Sequence, residues 1–536
     1  MDTAVVLVCF LLGLVSANPV VEGEVGRISG KIDKILDTEI EAFLGIPYAK
    51  PPLGELRFAK PQPFGSVGNF QATELPPLCP QLKMCPLGRY SVEEDCLYLN
   101  VYRKSGTKKD DKKAVLAIIH GGGYIVGSSA DVFQSAEPQA GLGDLIVVSL
   151  NYRLGIFGFA DMQEIAPGNL GLQDQRLALQ WIQRNIAAFG GDPKKVTVMG
   201  GSAGSMSIAA QIITIVDREH LFRAAVLDAG VVNSNGFFES SESSFARVRK
   251  IAEIVGCPDA PDEILACLRN VPAHYLLANS TETTGLGGIT SFVPTTDGVF
   301  LPKDIGEFLA QESPSLRKIP MIIGHARDEG TMFVSLADRN FNFTIDHTKD
   351  EIVDYCAAIG QKFDFPLNAT QSEIREKIGR IYVDENSGNS WKAAAAFAGD
   401  GIFACPINSF IKNYSRHSDK VFAYRFDRRL KDTHFKIFDP SLLGAHHFSP
   451  YLHFSGALFL DDADGPIDGG DQRFSLDAMN MIASFAKHDE NPNFRGVEWP
   501  DYSKSGEILI FNETPKRAKG SASEAACDEL FHAHQA

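Results

Sequence analysis

Residues 196–205 read Val-Thr-Val-Met-Gly-Gly-Ser-Ala-Gly-Ser, a strand-like run followed by a glycine-rich turn. The apolar run Val196–Met199 is typical of a buried strand, and a helical pattern follows from about Ser205. Glycines on both sides of Ser202 permit a sharp strand-to-helix turn that presents the serine hydroxyl at the start of the helix. A phosphate-binding loop is the other interpretation, but neither the P-loop pattern nor G-x-G-x-x-G occurs at this strand end. The stretch therefore predicts a nucleophilic serine.

Short apolar runs alternate with helical patterns along the chain, without a fixed repeat or a low-complexity linker. The runs predict buried strands at Ala114–Ile119, Leu145–Leu150, Val196–Met199, Ala224–Leu227, Ile319–Ile323 and Val421–Tyr424. Helical patterns lie at Asp174–Asn185, Ser205–Val216 and Leu476–Ala486. This alternation predicts an α/β fold with a large, mostly parallel central sheet and helices on both faces. Such sheets place their active sites at the carboxyl ends of the strands.

The residues His120-Gly121-Gly122-Gly123 directly follow another predicted strand. Consecutive glycines let backbone N–H groups converge on one point, which suits a developing oxyanion. We therefore expect the N–H groups of Gly122 and Gly123 to act as oxyanion donors, with that of Ala203 as the third. A flexible loop is the alternative, but it does not explain why the same chain also carries the serine turn.

A serine nucleophile needs a histidine base that is itself held by a carboxylate, and in this fold both follow the serine in the chain. The loop after the fifth apolar run contains Asp328 and Glu329, and the loop after the sixth contains His446 and His447. Either member of each pair fits the pattern. The residues alone leave both alternatives open.

Further motifs occur in one order from about Gly26 to Trp499. They include Phe43-Leu44-Gly45-Ile46-Pro47-Tyr48-Ala49, Glu94-Asp95-Cys96-Leu97-Tyr98-Leu99-Asn100, Asn151-Tyr152-Arg153, Gly168-Asn169-Leu170-Gly171-Leu172-Gln173-Asp174-Gln175, Phe189-Gly190-Gly191-Asp192-Pro193 and Trp499-Pro500. By these motifs the chain resembles the type-B carboxylesterases and cholinesterases, which have the α/β-hydrolase fold. Among them it is more similar to carboxylesterases than to acetylcholinesterase.

The resemblance implies a serine carboxylesterase whose acid is Glu329 and whose base is His447, beside the nucleophile Ser202. It also implies the disulfide bonds Cys79–Cys96 and Cys257–Cys267, a further candidate pair Cys405–Cys527, and buried ion pairs Arg57–Glu94 and Arg153–Asp174. Cys85 and Cys356 have no partners by this resemblance. The chain shows no CxxC or HExxH spacing, so we expect no metal and no cofactor.

Three places depart from the family pattern. The residue before Ser202 is Gly201, where the family commonly has glutamate. Residues 228–231 read Asp-Ala-Gly-Val instead of Gln-Ser-Gly-Ser, so Ala229 stands where serine is usual. Residues 448–451 read Phe-Ser-Pro-Tyr, whereas the family commonly continues Gly-Asp/Glu-Asp/Glu-Leu. Because nucleophile, acid, base and oxyanion donors are all kept, we predict lowered or redirected activity rather than none.

Two features bear on the substrate. Recognition of a choline cation needs an aromatic face, best supplied by Trp. Cholinesterases carry that Trp in the loop closed by the first disulfide, whereas the segment between Cys79 and Cys96 has none. By the resemblance, Gly288, Thr290 and Phe292 line the acyl pocket, and the first two are small where small-acyl enzymes carry bulky aromatics. We therefore expect a wide acyl pocket and a small-molecule or lipid-like ester as the substrate.

The 536 residues have an ordinary globular composition, with 44% hydrophobic and 22% charged residues. A collagen-like, disordered or disulfide-scaffold chain would have a more skewed composition. The formal net charge of −16 disfavours nucleic acid or an anionic membrane as the main partner. An acidic globular enzyme or binding protein is the class that remains.

Residues 1–17 are expected to be a signal peptide, because Ala4–Val15 is apolar and Val15-Ser16-Ala17 fits a cleavage site. Residues 18–536 are expected to form a single catalytic domain of a secreted, extracellular protein without a transmembrane anchor. Eight cysteines follow the signal, an even number that suits an oxidising compartment. Sequons predict glycosylation at Asn279, Asn342, Asn368, Asn413 and Asn512.

Two other functions remain open. The resembled family contains catalytically inactive members that act in adhesion or as ligand carriers, and the missing polar residues near Ser202 favour that alternative. A secreted lipase is the second alternative. It differs from an esterase by acting on dispersed long-chain glycerides rather than on soluble short-chain esters.

Overall fold

The computed structural model describes residues 18–531 apart from 82–90, 132–133, 216–218, 281–291, 312–315, 338–345, 364, 366, 368–370, 431–439, 461–468, 489 and 521–522. Some of the residues singled out above lie outside the described residues, namely Cys85, Gly288, Thr290, Asn342 and Asn368. Of the remaining predicted glycosylation positions, Asn279, Asn413 and Asn512 are all partly exposed.

Sixteen strands lie in the described part of the chain. They are β1 Val20–Gly23, β2 Gly26–Ser29, β3 Lys31–Ile35, β4 Thr38–Pro47, β5 Asn69–Gln71, β6 Tyr98–Lys104, β7 Lys113–Ile119, β8 Ile146–Leu150, β9 Gly191–Gly201, β10 Ala224–Asp228, β11 Met321–Ala326, β12 Val421–Phe426, β13 Asn493–Phe494, β14 Val497–Glu498, β15 Glu507–Phe511 and β16 Lys516–Lys519. One large sheet has the order β16-β15-β12-β11-β10-β9-β7-β8-β6-β4-β3. Strands β1, β2 and β5 form a small second sheet, and β13 pairs with β14.

The centre of the large sheet is parallel, as the alternation of apolar runs and helical patterns predicts. Strands β8, β7, β9, β10, β11, β12 and β15 pair in parallel, and antiparallel pairs occur only towards the edges among the described strands. All six predicted strands are present in this sheet. The strand predicted from Ile319 begins at Met321, directly after Pro320, because proline has no N–H to donate to a neighbouring strand.

Eighteen α-helices accompany the strands in the described residues. They are α1 Glu137–Gly141, α2 Gly155–Phe159, α3 Leu170–Asn185, α4 Ala203–Ile213, α5 Ser241–Ile254, α6 Pro261–Asn270, α7 Ala273–Ser280, α8 Ile305–Ala310, α9 Gly330–Ala337, α10 Lys349–Lys362, α11 Gln371–Ile378, α12 Ser390–Gly399, α13 Cys405–Tyr414, α14 Pro440–Leu443, α15 Ser449–Ser455, α16 Gly469–Lys487, α17 Tyr502–Ser505 and α18 Glu524–Leu530. The three predicted helical stretches correspond to α3, α4 and α16.

Both faces of the sheet are buried. In β7 the side chains of Val115 and Ala117 belong to one apolar core, and those of Leu116 and Ile118 belong to another. Helices α3 and α4 contribute to the first core, and α16 contributes to the second. Alternate residues of one strand therefore face two helical layers, which is the α/β arrangement with helices on both faces that the sequence predicts.

Covalent and ionic contacts tie the outer elements to this core. The structure contains the disulfide bonds Cys79–Cys96, Cys257–Cys267 and Cys405–Cys527. It also contains the predicted ion pairs, each formed by two hydrogen bonds: Arg153–Asp174 is buried and Arg57–Glu94 is largely buried. Cys356 is a buried free thiol, and burial raises its pKa to about 12. The thiol is therefore unreactive at neutral pH.

One helical run is long and apolar enough, by length and composition only, to cross a membrane. It covers Ser390–Tyr414, has a mean hydropathy of 1.3, and is 78% buried inside the protein. A run that is buried to this extent is also what a core helix of a globular protein looks like. The search covers only the residues that the structure describes.

His453 in α15 is buried between Phe426 and Phe474, and neither of its ring nitrogens has a hydrogen-bond partner within the described residues. Burial, Arg428 and Arg495 hold the pKa of this imidazole well below its usual value. The folded state therefore keeps His453 neutral, whereas the unfolded chain binds a proton below about pH 6.5 and gains stability as the pH falls.

The stability of the His453→Leu variant relative to the wild type should therefore increase as the pH falls. We expect the difference in the free energy of unfolding between the two proteins to shift by about 1 kcal/mol in favour of the variant from pH 7 to pH 5.5. Denaturant unfolding at both pH values measures this shift. An unchanged difference would show that His453 titrates normally in the folded protein.

Candidate active site

Ser202 lies on the sharp turn that joins β9 to α4. Its backbone has φ 55° and ψ −126°, in the left-handed half of φ space that a residue with a side chain rarely adopts. The Ser202 N–H donates to the carbonyl of Asp228 at 2.8 Å, and the Ser202 carbonyl accepts from the N–H of Met206 at 2.9 Å. Contacts on both sides of the residue thus hold the strained turn in place.

The glycine loop after β7 packs directly against this turn. A methyl group added to Gly121 would lie 2.5 Å from the carbonyl oxygen of Gly201 and 3.3 Å from Cβ of Ser202. The Gly121 N–H donates to the side-chain oxygen of Gln134. The neighbouring Gly122 and Gly123 have φ values of 107° and 60°, which only glycine adopts without strain. Glycine is therefore needed at these positions to bring the loop so close to the serine.

The Gly122→Ala variant should lose activity without losing its fold. The added methyl group would lie 2.1 Å from the carbonyl oxygen of Val126, so the backbone of the loop must move from its present position. We expect kcat for ester hydrolysis to fall by about 100-fold, the order of magnitude for the loss of one oxyanion donor, with a smaller change in KM.

Gly65→Ala is the matched control. Gly65 also has a positive φ, 90°, but nothing lies within 4 Å of an added methyl group there. This variant should lower stability without changing kcat. Equal kcat values for the Gly122 variant and the wild type would argue against an oxyanion role for the loop.

The two candidate loops meet at the carboxyl end of the sheet. Oε2 of Glu329 lies 2.5 Å from Nδ1 of His447, although the residues are 118 positions apart in the chain. The other carboxylate oxygen of Glu329 accepts from the N–H of Ala326 at 2.6 Å. The residues that precede them, Asp328 and His446, form a backbone β-bridge between the two loops. This bridge helps to hold Glu329 next to His447.

The structure distinguishes the candidate acids and the candidate histidines that the sequence left open. Asp328 turns away from the histidines: its carboxylate accepts from the N–H of Ala445 at 2.7 Å and pairs with Arg327. His446 directs Nδ1 at the carbonyl of His447, and burial, the largest cause, lowers its pKa to about 4. The structure thus joins Glu329 to His447, the pair implied by the resemblance.

Aromatic rings enclose the His447 imidazole. The ring centroids of Phe333, Phe403 and Phe448 lie 5.1, 4.6 and 4.8 Å from that of His447. Its Nε2 atom is buried and has no hydrogen-bond partner in the part of the chain that the structure describes. An imidazole that is bonded to a carboxylate on one side and unbonded on the other can accept a proton at Nε2.

The departures from the family pattern pack against each other. A methyl group on Gly201 would lie 3.2 Å from the Tyr451 ring and 3.4 Å from the Phe448 ring, so these aromatics cover the place of the usual glutamate. Asp228 is 1% exposed and accepts a hydrogen bond of 2.5 Å from the Tyr424 hydroxyl. The sequence analysis noted the changed residues but not their contacts, and it missed Tyr424, which lies within an ordinary strand pattern.

Of the three predicted acyl-pocket residues, Phe292 is the one that lies in the described part of the chain. It is fully buried, and the guanidinium of Arg247 lies 5.4 Å from its ring centroid. No contact of Phe292 with Ser202 or His447 is seen among the described residues. The same residues contain no group of three or more His, Cys, Asp or Glu side chains that could hold a metal ion.

A parallel-centred sheet covered on both faces, with a serine on the turn after β9, defines the α/β-hydrolase class of proteins. A family model described as "Carboxylesterase family" matches residues 17–530, so the chain belongs to the carboxylesterase family. This membership agrees with the resemblance drawn from the sequence motifs.

Curated relatives include cholinesterases. The chain is 30% identical to an acetylcholinesterase of Bungarus fasciatus over 530 residues, which cover 95% of this chain and 85% of the relative. It is 31% identical to acetylcholinesterase-1 of Trittame loki, over 95% of this chain and 94% of the relative. It is also 31% identical to a cholinesterase of Mus musculus, over 93% of this chain and 83% of the relative. Family and relatives support a serine esterase of the carboxylesterase and cholinesterase type.

Proposed function

We propose that the chain is a secreted serine carboxylesterase that hydrolyses carboxylic esters through an acyl-enzyme intermediate. Ser202 is the nucleophile, His447 is the general base, and Glu329 orients the imidazole and stabilises its protonated form. The observation that carries the proposal is the Glu329–His447 contact of 2.5 Å, formed at the same sheet edge as the strained serine turn.

Acylation begins when Nε2 of His447 takes the hydroxyl proton of Ser202 while Oγ attacks the ester carbonyl carbon. The carbonyl oxygen becomes an oxyanion, which accepts hydrogen bonds from the N–H groups of Gly122, Gly123 and Ala203. The imidazolium then gives its proton to the leaving alcohol oxygen, and the acyl group stays on Oγ. Water repeats the sequence in place of the serine, releasing the acid and restoring the hydroxyl.

The aromatic surroundings of His447 support an uncharged substrate. Three phenylalanine rings face the imidazole, and rings of this kind bind an acyl chain by burying it from water. All three tryptophans are engaged elsewhere: Trp181 packs on Phe189, and the indole N–H groups of Trp391 and Trp499 donate to backbone carbonyls. No tryptophan ring is seen in contact with His447 in the described part of the chain, so a choline cation lacks its best aromatic partner there and a neutral ester is the better substrate.

We also propose that residues 18–536 form one catalytic domain that is secreted after removal of residues 1–17. Strands from Lys31 to Lys519 contribute to a single sheet, which supports one domain. Three disulfide bonds support an oxidising compartment, because such bonds are rare in the cytosol.

A labelling experiment tests the esterase proposal directly. An organophosphate should modify the purified protein with one adduct per chain, located at Ser202 by peptide mass spectrometry. A folded protein that takes up no label would instead support a non-catalytic ligand-binding member of the family. Hydrolysis of dispersed long-chain glycerides at a higher rate than soluble esters would favour the lipase alternative.

Substrate preference gives a second test, with two esters of matched shape. Acetylcholine and its uncharged isostere 3,3-dimethylbutyl acetate differ in the cation alone. We expect kcat/KM values within about threefold of each other, because a cation–π contact would add roughly 10-fold or more to the choline ester. Along an acyl series on one alcohol, kcat/KM should rise from acetate to butyrate and beyond. A strong preference for acetylcholine would contradict the proposal.

A further inference from the structure

The chain departs from the family at Asp228, the last residue of β10, and this residue is in contact with several parts of the candidate site. Its carbonyl accepts the N–H of Ser202 at 2.8 Å. Its carboxyl accepts the hydroxyl of Tyr424, in the strand β12, at 2.5 Å. The backbone N–H of Tyr451, in the helix after His447, is near enough to interact with the same carboxyl. One residue thus joins the serine turn, β12 and the histidine segment.

The surroundings of the carboxyl disfavour a negative charge. Asp228 is 1% exposed, and no cationic side chain pairs with it among the described residues. The titratable groups that face it are Glu329, Tyr424 and Tyr451, of which Glu329 is itself an acid. Burial, followed by the neighbouring Glu329, raises the pKa of Asp228 well above its usual range. An uncompensated second anion in this interior would be costly, so the surroundings favour the uncharged form of the carboxyl.

A charge at this position would also act on the reaction. A second anion beside Glu329 would favour the protonated form of His447, and a protonated imidazole cannot take the proton of Ser202. A neutral carboxylic acid keeps the contact with Tyr424 without adding that charge, and this contact fixes the Asp228 backbone, whose carbonyl accepts the N–H of Ser202. The site therefore favours an uncharged side chain that still bonds to Tyr424.

We propose that Asp228 is a positioning residue of this site, a neutral acid that holds the turn of Ser202 against the segments carrying Glu329 and His447. The proposal rests on the esterase function proposed above and deepens it. It also assigns a role to the changed residues, because Tyr451 occupies the place beside Gly201 and bonds through its hydroxyl to the carbonyl of Gln134 at 2.9 Å. Gln134 in turn holds the N–H of Gly121 in the oxyanion loop.

Three variants test the proposal in the full-length protein, with active sites counted by organophosphate labelling. Asp228→Ala should lower kcat by about 10- to 100-fold with KM within about twofold, because a small displacement of the nucleophile slows the chemical step more than it weakens binding. Tyr424→Phe should lower kcat by about tenfold for the same reason. Asp228→Asn, which keeps an uncharged acceptor for Tyr424, should restore most of the activity lost in the alanine variant.

The pH dependence separates a neutral Asp228 from a charged one. If the residue is neutral, Asp228→Asn removes no charge, and the acid limb of the kcat/KM profile stays where it is in the wild type. If the residue is ionised, the same variant removes an anion, and the acid limb should move down by about one pH unit. That movement would overturn the proposal, and so would an Asp228→Ala variant with wild-type kcat.

Asp161→Asn is the matched control for a merely structural effect. Asp161 is also buried and held by hydroxyl groups, those of Ser241 at 2.7 Å and Thr295 at 2.8 Å, but it has no contact with the candidate site among the described residues. It should lower the melting temperature without changing kcat. If Asp161→Asn lowered kcat as much as Asp228→Ala does, the effect of Asp228 would be merely structural. A wild-type protein that takes up no organophosphate would instead overturn the esterase function itself.

Discussion

The Ser202→Ala variant should be folded and should lose ester hydrolysis by about 10⁵- to 10⁶-fold in kcat, the order seen when a serine enzyme loses its nucleophile. The physical reason is that no other group can replace the serine hydroxyl as the nucleophile in acylation. The turn holds Ser202 beside the glycine loop, and alanine leaves no atom there that can bond to the acyl carbon. The oxyanion donors and the binding surfaces remain, so residual catalysis above the uncatalysed rate is expected.

This prediction is measured by kcat on a soluble neutral ester and by organophosphate incorporation. The variant should incorporate none, whereas its melting temperature should stay within a few degrees of the wild type. Ser205→Ala is a useful control. Ser205 lies one helical turn further along α4, with its hydroxyl bonded to the carbonyl of Gly230 at 2.6 Å, and it should keep its label. Labelling at any residue other than Ser202 would refute the assignment of the nucleophile.

The Glu329→Gln variant should lower kcat by about 10³- to 10⁴-fold with a much smaller change in KM. The carboxylate accepts from Nδ1 of His447 and thereby holds the tautomer in which Nε2 is free to take a proton. An amide has a similar shape but no charge, so it neither stabilises the imidazolium nor enforces that tautomer. Binding of the ester is largely unaffected because Glu329 is buried beneath the imidazole.

The adjacent acid supplies the control. Asp328→Asn also replaces a carboxylate by its amide on the same loop, and Asp328 accepts from the N–H of Ala445 rather than from a histidine. Its kcat should stay within about tenfold of the wild type. If Asp328→Asn instead produced the larger loss, the acid would be Asp328, the alternative that the residues alone left open.

Much of the fold could be predicted from local sequence because buried parallel strands are short, apolar and separated by helices. Val196–Met199 is the apolar part of β9, and Ala114–Ile119 is almost the whole of β7. The serine turn and the glycine loop were recognisable for a related reason: both depend on glycines at fixed positions, and a requirement for glycine is visible in the letters themselves.

The remaining features depend on contacts between distant segments. Glu329 and Asp328 are neighbours of the same charge, and the difference between them arises from the bridge that Asp328 makes to His446 in another loop. The covering of Gly201 by Phe448 and Tyr451 is likewise invisible in sequence, because these two separate departures meet only in space. Pairing between segments more than a hundred residues apart leaves no local pattern to recognise.

The disulfide Cys405–Cys527 has a consequence for how the protein survives cleavage of its backbone. It joins residues 122 positions apart, and His447 lies on the enclosed stretch of chain. A protease that cuts the backbone once anywhere within that stretch produces two pieces that stay covalently linked. A nicked molecule would therefore migrate as one band on a non-reducing gel and as two after reduction, and its histidine would remain attached to the rest of the protein.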